Sequence, residues 1–339
     1  MINARAPLRI SFVGGGTDMP AFFNRYPGRV ISTTIDKYVY LVINSAYLLN
    51  EFIIKYQTTE IVKHPREFTH NRFRAALLDY GLTERGVEIG SFADLPAKTG
   101  LGSSSSFSVA LIKALNAYLG KTISKVEAAE AACRLEIELC NEPIGKQDQY
   151  AAAFGGFNLF QFNSDGTTEI EPLLVSYQTR SKLADHLLLF FTGITRSAST
   201  ILANQQTKIE ENFTTYQAMS DSVFSFREKL LAGDIKGVAE MLHQGWLRKK
   251  SLSKEISNNF IENLYETGIT NGSWGGKILG AGGGGCLLFL APPEKHDVIR
   301  QAIFKIAGAN GLADFREIPI NFTQSGADII FNENRYFNI

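Results

Sequence analysis

The sequence predicts an α+β protein with two domains. Strand-like and helix-like segments follow one another without the regular alternation of a doubly wound sheet. A long stretch, residues 197–265, is largely helical in pattern with few breakers. A chain of 339 residues is long enough for two hydrophobic cores. We expect domains at 1–178 and 179–339, joined by a short connection near residues 170–185.

The first half combines strands with helices. Leu8, Ile10 and Phe12 alternate with polar residues, which predicts a strand that enters the glycines at 14–16. Ser124 and Glu127 have capping-box spacing, which predicts a helix that runs to Leu139. The other elements predicted here are strands at 29–35, 38–43 and 52–56 and helices at 67–80 and 107–119.

The second half changes character. Strands are predicted at 157–162, after the Gly155-Gly156 breaker, and at 187–191. The helical stretch follows, then a glycine run at 280–285 that leads into a buried strand, and a final helix near 294–307.

Composition excludes several classes of protein. Lys and Arg together number 34, as do Asp and Glu, so no net charge favours nucleic acid or an acidic membrane. Arg5 and Arg9 break the continuous apolar core that a signal peptide would need at the N-terminus. The longest apolar runs are too short to span a bilayer. The three cysteines lack metal-type spacing, and the five histidines are scattered. We expect a cytoplasmic protein with buried reduced thiols and with no nucleic-acid or membrane partner.

The most informative segment is the glycine- and serine-rich loop at 95–106, which precedes a helix. Glycines let backbone N–H groups approach an anion, and a helix N-terminus favours negative charge. The loop therefore predicts a phosphate site. The alternative is a plain turn that ends in a serine helix cap.

Two other glycine motifs resemble nucleotide sites but fail in detail. Gly14-Gly15-Gly16 follows a strand, yet Met19 stands where a dinucleotide fingerprint needs its third glycine, which disfavours an NAD-linked oxidoreductase. Gly120-Lys121-Thr122 matches the end of a Walker A motif, yet Leu115 stands where the first glycine is required. Asp18 can instead accept hydrogen bonds from sugar hydroxyls, or it is an ordinary turn residue.

Two carboxylates, one on the capped helix and one after it, are candidates for two different catalytic roles. They are Glu136 and Asp148: one would hold a magnesium ion, and the other would orient or deprotonate a hydroxyl. The alternatives are a solvated helix face and a helix cap. Five glycines within 280–285 indicate that the backbone approaches a ligand phosphate or another chain segment closely.

Three ordered motifs resemble those of the GHMP small-molecule kinases: Pro7 to Asp18, Pro96 to Ser105, and Lys277 to Gly285. Together with the segments at 35–38 and 246–250, the first motif is most similar to the branch that phosphorylates D-glycero-D-manno-heptose 7-phosphate. The resemblance implies an N-terminal domain like ribosomal protein S5, a ferredoxin-like C-terminal domain, and an active site in the cleft between them.

The resemblance also assigns the nucleotide site. Its loop would wrap the phosphates of ATP, and Ser104 with Glu136 would bind Mg²⁺. The residues implied to contact the nucleotide are Pro96, Gly100, Leu101, Gly102, Ser103, Ser104 and Ser105.

On the acceptor side, Asp148 matches the acidic residue beside the acceptor hydroxyl, and Arg9 matches the basic residue that pairs with it. Asp18 matches the sugar-binding aspartate. The residues implied to contact the sugar or the transferred phosphate are Gly15, Gly16, Thr17, Asp18, Gly282, Gly283 and Gly284.

The acceptor is less defined by the sequence. A phosphorylated sugar needs a basic partner, for which the candidates are Lys37, Arg196, Lys249 and Lys277. A kinase of a neutral sugar such as fucose or galactose needs none, and a sensor that binds ATP and sugar without turnover is a further alternative. The oligomeric state stays open, with a homodimer as one option.

Overall fold

The computed structural model describes residues 1–45, 50–195 and 198–333. Arg196, a candidate from the sequence, lies outside these residues. Thirteen strands and eleven α-helices are found within them. The strands are β1 (Ile2–Val13), β2 (Gly28–Ser45), β3 (Phe52–Lys55), β4 (Thr59–Val62), β5 (Val87–Ala93), β6 (Asn158–Phe162), β7 (Thr168–Pro172), β8 (Leu187–Phe191), β9 (Gly275–Ile278), β10 (Cys286–Leu290), β11 (Arg316–Glu317), β12 (Phe322–Thr323) and β13 (Asp328–Asn332).

The helices carry most of the second half, as the sequence predicts. They are α1 (Pro20–Phe23), α2 (Asn71–Asp79), α3 (Ser103–Tyr118), α4 (Lys125–Cys133), α5 (Gln147–Phe154), α6 (Tyr177–Asp185), α7 (Ala198–Thr207), α8 (Phe213–Leu231), α9 (Ile235–Leu252), α10 (Asn259–Thr270) and α11 (His296–Ala309). In the described part of the chain, none of them is both long and apolar enough to cross a membrane.

The first sheet has nine strands. Six of them follow the order β13-β1-β2-β5-β3-β4; β6 and β12 also pair with β2, and β7 pairs with β6. The two strands predicted at 29–35 and 38–43 form the single 18-residue strand β2. The chain returns to this sheet at its end, because β12 pairs with β2 and β13 pairs with β1. The predicted division at 178/179 stays a prediction, and the two last strands add to the first sheet rather than to the second.

The second sheet has four antiparallel strands in the order β11-β8-β10-β9. Four helices lie between its first two strands in sequence, and α11 connects β10 to β11. This is the strand order of a ferredoxin-like βαββαβ unit. The α+β class predicted from the sequence is confirmed.

Apolar side chains of the two parts pack into a shared core. The Phe12 ring of β1 stacks on Phe157 at 6.3 Å and on Phe226 of α8 at 5.7 Å between ring centroids. Phe226 is fully buried. Burying such large aromatic surfaces is among the strongest contributions to a core, so β1 is held firmly against the helical half.

The capping box predicted for α4 is confirmed. The Ser124 hydroxyl accepts from the Glu127 N–H at 3.2 Å, and Glu127 accepts from the Ser124 N–H at 2.8 Å. After Cys133 the helix continues as a π-helix over Arg134–Leu139. Such insertions are common at functional sites, and this one carries Glu136.

Candidate active site

A cleft of about 300 Å³ opens between the two sheets. Its walls come from the end of β1 and the turn after it, the start of α2, the loop before α3, the turn before α5, helices α7 and α9, and the glycine run after β9. All three sequence motifs therefore meet in one place, although they are far apart in the chain.

The glycine-serine loop ends on a helix N-terminus that no side chain caps. Gly102 is the N-cap residue of α3, at φ +76°. The first-turn amides of a helix have no partner within it, and Ser103, Ser104 and Ser105 line the cleft at this turn. The alternative of a serine-capped turn does not hold, since the cap position is a glycine without a side chain. The free amides and the helix dipole suit an anion.

Two residues expected in this loop lie off the cleft. Leu101 is fully buried in the core, where its carbonyl accepts from the Arg9 N–H at 2.9 Å. Pro96 is exposed and is not part of the cleft wall. Gly100 and Gly102 do line it.

The C-terminal glycine run packs directly against this loop. A Cβ on Gly100 would lie 2.4 Å from the Leu279 carbonyl oxygen, and one on Gly280 would lie 2.7 Å from the Gly100 Cα. The Cys286 N–H also donates to the Thr99 carbonyl at 2.9 Å. The glycines therefore permit contact between two backbones, one of the two roles that the sequence left open.

Gly282, Gly283 and Gly284, which are expected to contact the acceptor, are not among the described residues that line the cleft, and their contact with the acceptor stays a prediction. The Gly283 N–H donates to the Ile256 carbonyl at 2.8 Å, and a Cβ on Gly284 would meet the Ile194 carbonyl oxygen at 2.7 Å. These glycines lie against neighbouring loops, since a Cβ on Gly282 would likewise lie 2.6 Å from the Ile256 carbonyl oxygen. Gly280 and Ala281 line the cleft instead.

Arg9 and Asp148 form the ion pair expected from the resemblance. Arg9 Nε donates to Asp148 Oδ1 at 2.8 Å, and Nη2 donates to Oδ2 at 2.7 Å. The remaining terminal nitrogen, Nη1, donates to the Gly100 carbonyl at 2.6 Å. Arg9 is 3% exposed, so this guanidinium holds the first turn of α5 against the glycine-serine loop at 95–106, called the phosphate loop below, in a fixed geometry.

Asp18 is buried and is already bound by the protein. Its carboxylate accepts from the Gly16 N–H at 2.9 Å, the Gln147 N–H at 3.1 Å and the Gln147 side-chain amide at 3.0 Å. Burial raises the pKa of the Asp18 carboxyl, and the Gln147 backbone N–H opposes that rise. Three acceptor sites are used, so about one lone pair remains for a sugar hydroxyl.

In the turn that carries Asp18, some residues line the cleft and others stabilise the turn itself. Gly15 and Gly16 line the cleft. Thr17, expected there as well, faces away: its hydroxyl donates to the Gly14 carbonyl at 2.8 Å and accepts from the Arg29 N–H at 2.9 Å. Thr17 therefore holds the turn together.

The two proposed magnesium ligands are not adjacent. Glu136 is fully buried, and its partners are the hydroxyl of Ser105 at 2.8 Å, the hydroxyl of Ser108 at 2.7 Å, the side-chain amide of Gln149, and Arg72 Nε at 3.2 Å. Ser104 is exposed on the cleft, and the serine that contacts Glu136 is Ser105. No group of three His, Cys, Asp or Glu side chains suited to a metal occurs among the residues described.

Three of the basic candidates can be located. Lys249 and Lys277 line the cleft, whereas Lys37 pairs with Asp36 at 3.0 Å on β2, away from it. Lys277 Nζ donates to the Ser11 and Phe12 carbonyls at 3.0 Å each, and Lys249 Nζ donates to the Gly280 carbonyl. Burial, reinforced by Arg9, lowers the pKa of Lys249 to about 8.

Several cleft residues were missed by the sequence-based reasoning. They are Ser11, Arg72, Lys98, Glu142, Gln147, Ser199, Leu202 and Gln205. The last three share one face of α7, at spacings of three that a helical reading of that stretch could have revealed. Among the described residues that line the cleft, five are basic and three are acidic, which favours a polyanionic ligand.

The sequence matches known proteins over most of its length. The family profile described as the GHMP kinases N terminal domain matches residues 68–156, and that for the GHMP kinases C terminal domain matches residues 226–310. D-glycero-alpha-D-manno-heptose 7-phosphate kinase of Campylobacter jejuni is 29% identical over 91% of this chain and 94% of its own length. A galactokinase of Pyrococcus furiosus is 24% identical over 90% and 93% of the two chains.

Solved structures add the same fold. A crystal structure described as a D-glycero-D-manno-heptose 1-phosphate kinase from Bacteroides thetaiotaomicron superposes with a TM-score of 0.78 at 25% identity, covering 96% of this chain and 98% of that one. The N-terminal profile covers residues that include β5 of the first sheet, and the C-terminal profile covers residues that include β9 and β10 of the second sheet. Because they together span about half of the sequence, the chain belongs to the GHMP kinases.

Proposed function

We propose that this protein transfers the γ-phosphoryl group of ATP to the anomeric hydroxyl of D-glycero-D-manno-heptose 7-phosphate, as a step toward nucleotide-activated heptose. One observation carries the proposal. The uncapped N-terminus of α3, the Arg9–Asp148 pair and two buried lysines face a single cleft. These are an anion site, a carboxylate that can orient a hydroxyl, and, in Lys249, a cation for a second phosphate.

The reaction needs little covalent chemistry from the protein. The acceptor oxygen forms a bond to the γ-phosphorus, the bond from that phosphorus to the bridging oxygen of ADP breaks, and the hydroxyl proton passes to the Asp148 carboxylate. Catalysis rests on positioning and on charge stabilisation. Arg9 holds both oxygens of Asp148, so the carboxylate meets the hydroxyl in one orientation.

The nucleotide phosphates would bind the amides of Ser103 to Ser105, with Lys98 and Arg72 beside them. Mg²⁺ that enters with ATP would neutralise phosphate charge. Ser104 offers it an exposed hydroxyl. Glu136 does not fit as the second ligand in this arrangement, because both its oxygens already accept from buried donors, and we assign no step to a metal held there.

The sugar phosphate would bind beside Asp18 and Lys249, which both line the cleft and lie close enough to interact electrostatically. A neutral hexose would offer no partner for the charge of buried Lys249, whose desolvation is costly. The Campylobacter jejuni relative supports heptose 7-phosphate as the acceptor. The cytoplasmic location and a homodimer stay predictions.

An ADP-release assay with magnesium-ATP tests the proposal. The acceptors to compare are heptose 7-phosphate, heptose 1-phosphate, fucose, galactose and mannose. We expect turnover with heptose 7-phosphate and a product that carries phosphate at both ends. Turnover confined to a neutral hexose would overturn the assignment. Binding of ATP and sugar without turnover of any acceptor would favour the sensor instead.

A further inference from the structure

The side chain of Arg72 lies between two carboxylates and the open cleft. It projects from the first turn of α2 and lines the cleft. We propose that Arg72 binds the terminal phosphates of the nucleotide, and that Glu136 and Glu142 hold its guanidinium in position. This inference rests on the proposed kinase function, and it gives Glu136 a positioning role in place of the metal-binding role expected from the sequence.

The ion-pair geometry supports a fixed guanidinium. Arg72 Nη2 donates to Glu142 Oε2 at 2.7 Å, and Nε lies 3.2 Å from Glu136 Oε1. The Nε atom is buried and has no well-aligned hydrogen bond. The Arg72 side chain is 16% exposed against 0% for Glu136. One edge of the guanidinium is therefore fixed inside the protein, while part of the group reaches the cleft.

The hydrogen-bond donors around Glu136 explain why this carboxylate can hold the Arg72 guanidinium in place. Ser105 and Ser108 each donate a hydroxyl to it, one to each oxygen, and the Gln149 amide donates as well. A buried carboxylate with this many donors needs only one cation to balance its charge. Arg72 supplies that cation, and a metal ion at the same oxygens would have to displace it.

Ser105 connects this cluster to the phosphate site. Its hydroxyl contacts Glu136 from the first turn of α3, the turn that presents the amides of Ser103 to Ser105. The guanidinium therefore lies near the helix N-terminus where the phosphates are expected. A planar guanidinium with several N–H donors matches phosphate oxygens, and charge on the transferred group is what a kinase must stabilise.

The test compares R72A and R72K with R74M as a matched control. Arg74 lies on the same helix, bonds to Phe68 and Asn71, and is not part of the cleft wall. Calorimetric binding of ATP, ADP and AMP is measured with Mg²⁺ and again with EDTA. Thermal unfolding checks that each variant is folded.

We expect R72A to bind ATP and ADP about 10- to 100-fold more weakly, as for a lost charge-assisted hydrogen bond. AMP affinity should be unchanged, and the loss should persist in EDTA. Millimolar guanidinium should restore part of the R72A activity, and R72K should retain only part of it. R74M should bind all three nucleotides as the wild type does.

The role of Glu136 is tested through E136Q, which keeps the shape of the side chain. We expect a lower kcat with an unchanged apparent Mg²⁺ constant. An E136Q enzyme that needs at least tenfold more Mg²⁺, beside an R72A enzyme that binds ATP normally, would overturn the inference while leaving the kinase function standing. A wild-type protein that binds no ATP would overturn both.

Discussion

Arg9 and Asp148 are 139 residues apart in sequence and form a two-pronged ion pair, with contacts of 2.8 and 2.7 Å. The same guanidinium reaches the carbonyl of Gly100 in the phosphate loop. Arg9 thus fixes Asp148, the carboxylate proposed to meet the acceptor, relative to the loop proposed to bind the donor phosphates. In-line transfer depends on such alignment, since small displacements of the reacting atoms are costly in rate.

Replacing Asp148 by Asn tests its role at the acceptor hydroxyl. An amide cannot take the proton, so we expect kcat to fall by about 10²- to 10⁴-fold, the usual contribution of a general base. ATP affinity should change far less than kcat, because Asp148 reaches the glycine-serine loop only through Arg9, whose bond to the Gly100 carbonyl remains. Turnover numbers and calorimetric ATP binding are the measurements. Near-normal turnover would assign Asp148 to positioning alone.

We expect the KM for the sugar phosphate to depend on pH, because the proposed phosphate-binding residue Lys249 has a lowered pKa. Its pKa is lowered to about 8 by burial and by Arg9, with Asp18 and Asp148 opposing the shift. The side chain is charged below that pH and loses its proton above it. An anionic acceptor should therefore bind more weakly as pH rises through 8.

Kinetics at pH 7 and at pH 9 measure this effect. The KM for the sugar phosphate should rise across the interval in the wild type. In K249M it should be high and nearly flat, while the KM for ATP should change little. A K249M enzyme with the wild-type KM and pH profile would contradict the role of Lys249.

Gly100→Ala tests the contact between the phosphate loop and the C-terminal glycine run. Gly100 has φ +81°, and an added Cβ would lie 2.4 Å from the Leu279 carbonyl oxygen. The variant must move one of the two backbones, so we expect both a lower melting temperature and weaker ATP binding.

Gly120→Ala is its control. Gly120 has φ +72°, but nothing lies within 4 Å of the added Cβ. Only the left-handed conformation should matter there, at about 1 kcal/mol, with ATP affinity unchanged. Equal effects in the two variants would mean that the contact with Leu279 is unimportant.

Ser104 and Ser105 are adjacent in sequence, but their alanine variants should have different effects, one on the Mg²⁺-ATP requirement and the other on stability. Ser104 is exposed on the cleft, so S104A should unfold like the wild type but require more Mg²⁺-ATP for half-maximal rate. Ser105 is 3% exposed and donates to buried Glu136 at 2.8 Å. S105A should lower the free energy of unfolding by about 1.5–3 kcal/mol, the usual contribution of one hydrogen bond to a charged group. Chemical denaturation and magnesium titrations separate the two, and a stable S105A would contradict this role.

Local features of the sequence predicted most elements well. The Ser124–Glu127 capping box, the strand before Gly14 and the helix predicted at 107–119 depend on neighbours within a few residues, which propensity and periodicity capture. That helix, α3, begins four residues earlier than predicted, at Ser103. The π-helix at Arg134–Leu139 left no such signal, because one inserted residue within a helix hardly disturbs the hydrophobic pattern. The return of β13 to β1 was also invisible, since strand pairing is decided by the whole core.

By itself, the sequence determined the three motifs, their order and the charge of their side chains. Only the tertiary structure decided which of those side chains meet. Lys277 reaches the carbonyl of Ser11 across 266 residues, Glu136 pairs with Arg72 and Ser105 rather than with Ser104, and Asp18 is occupied by Gln147. Backbone preferences act over a few residues, whereas these contacts form only when two sheets pack and bury polar groups that must then find partners.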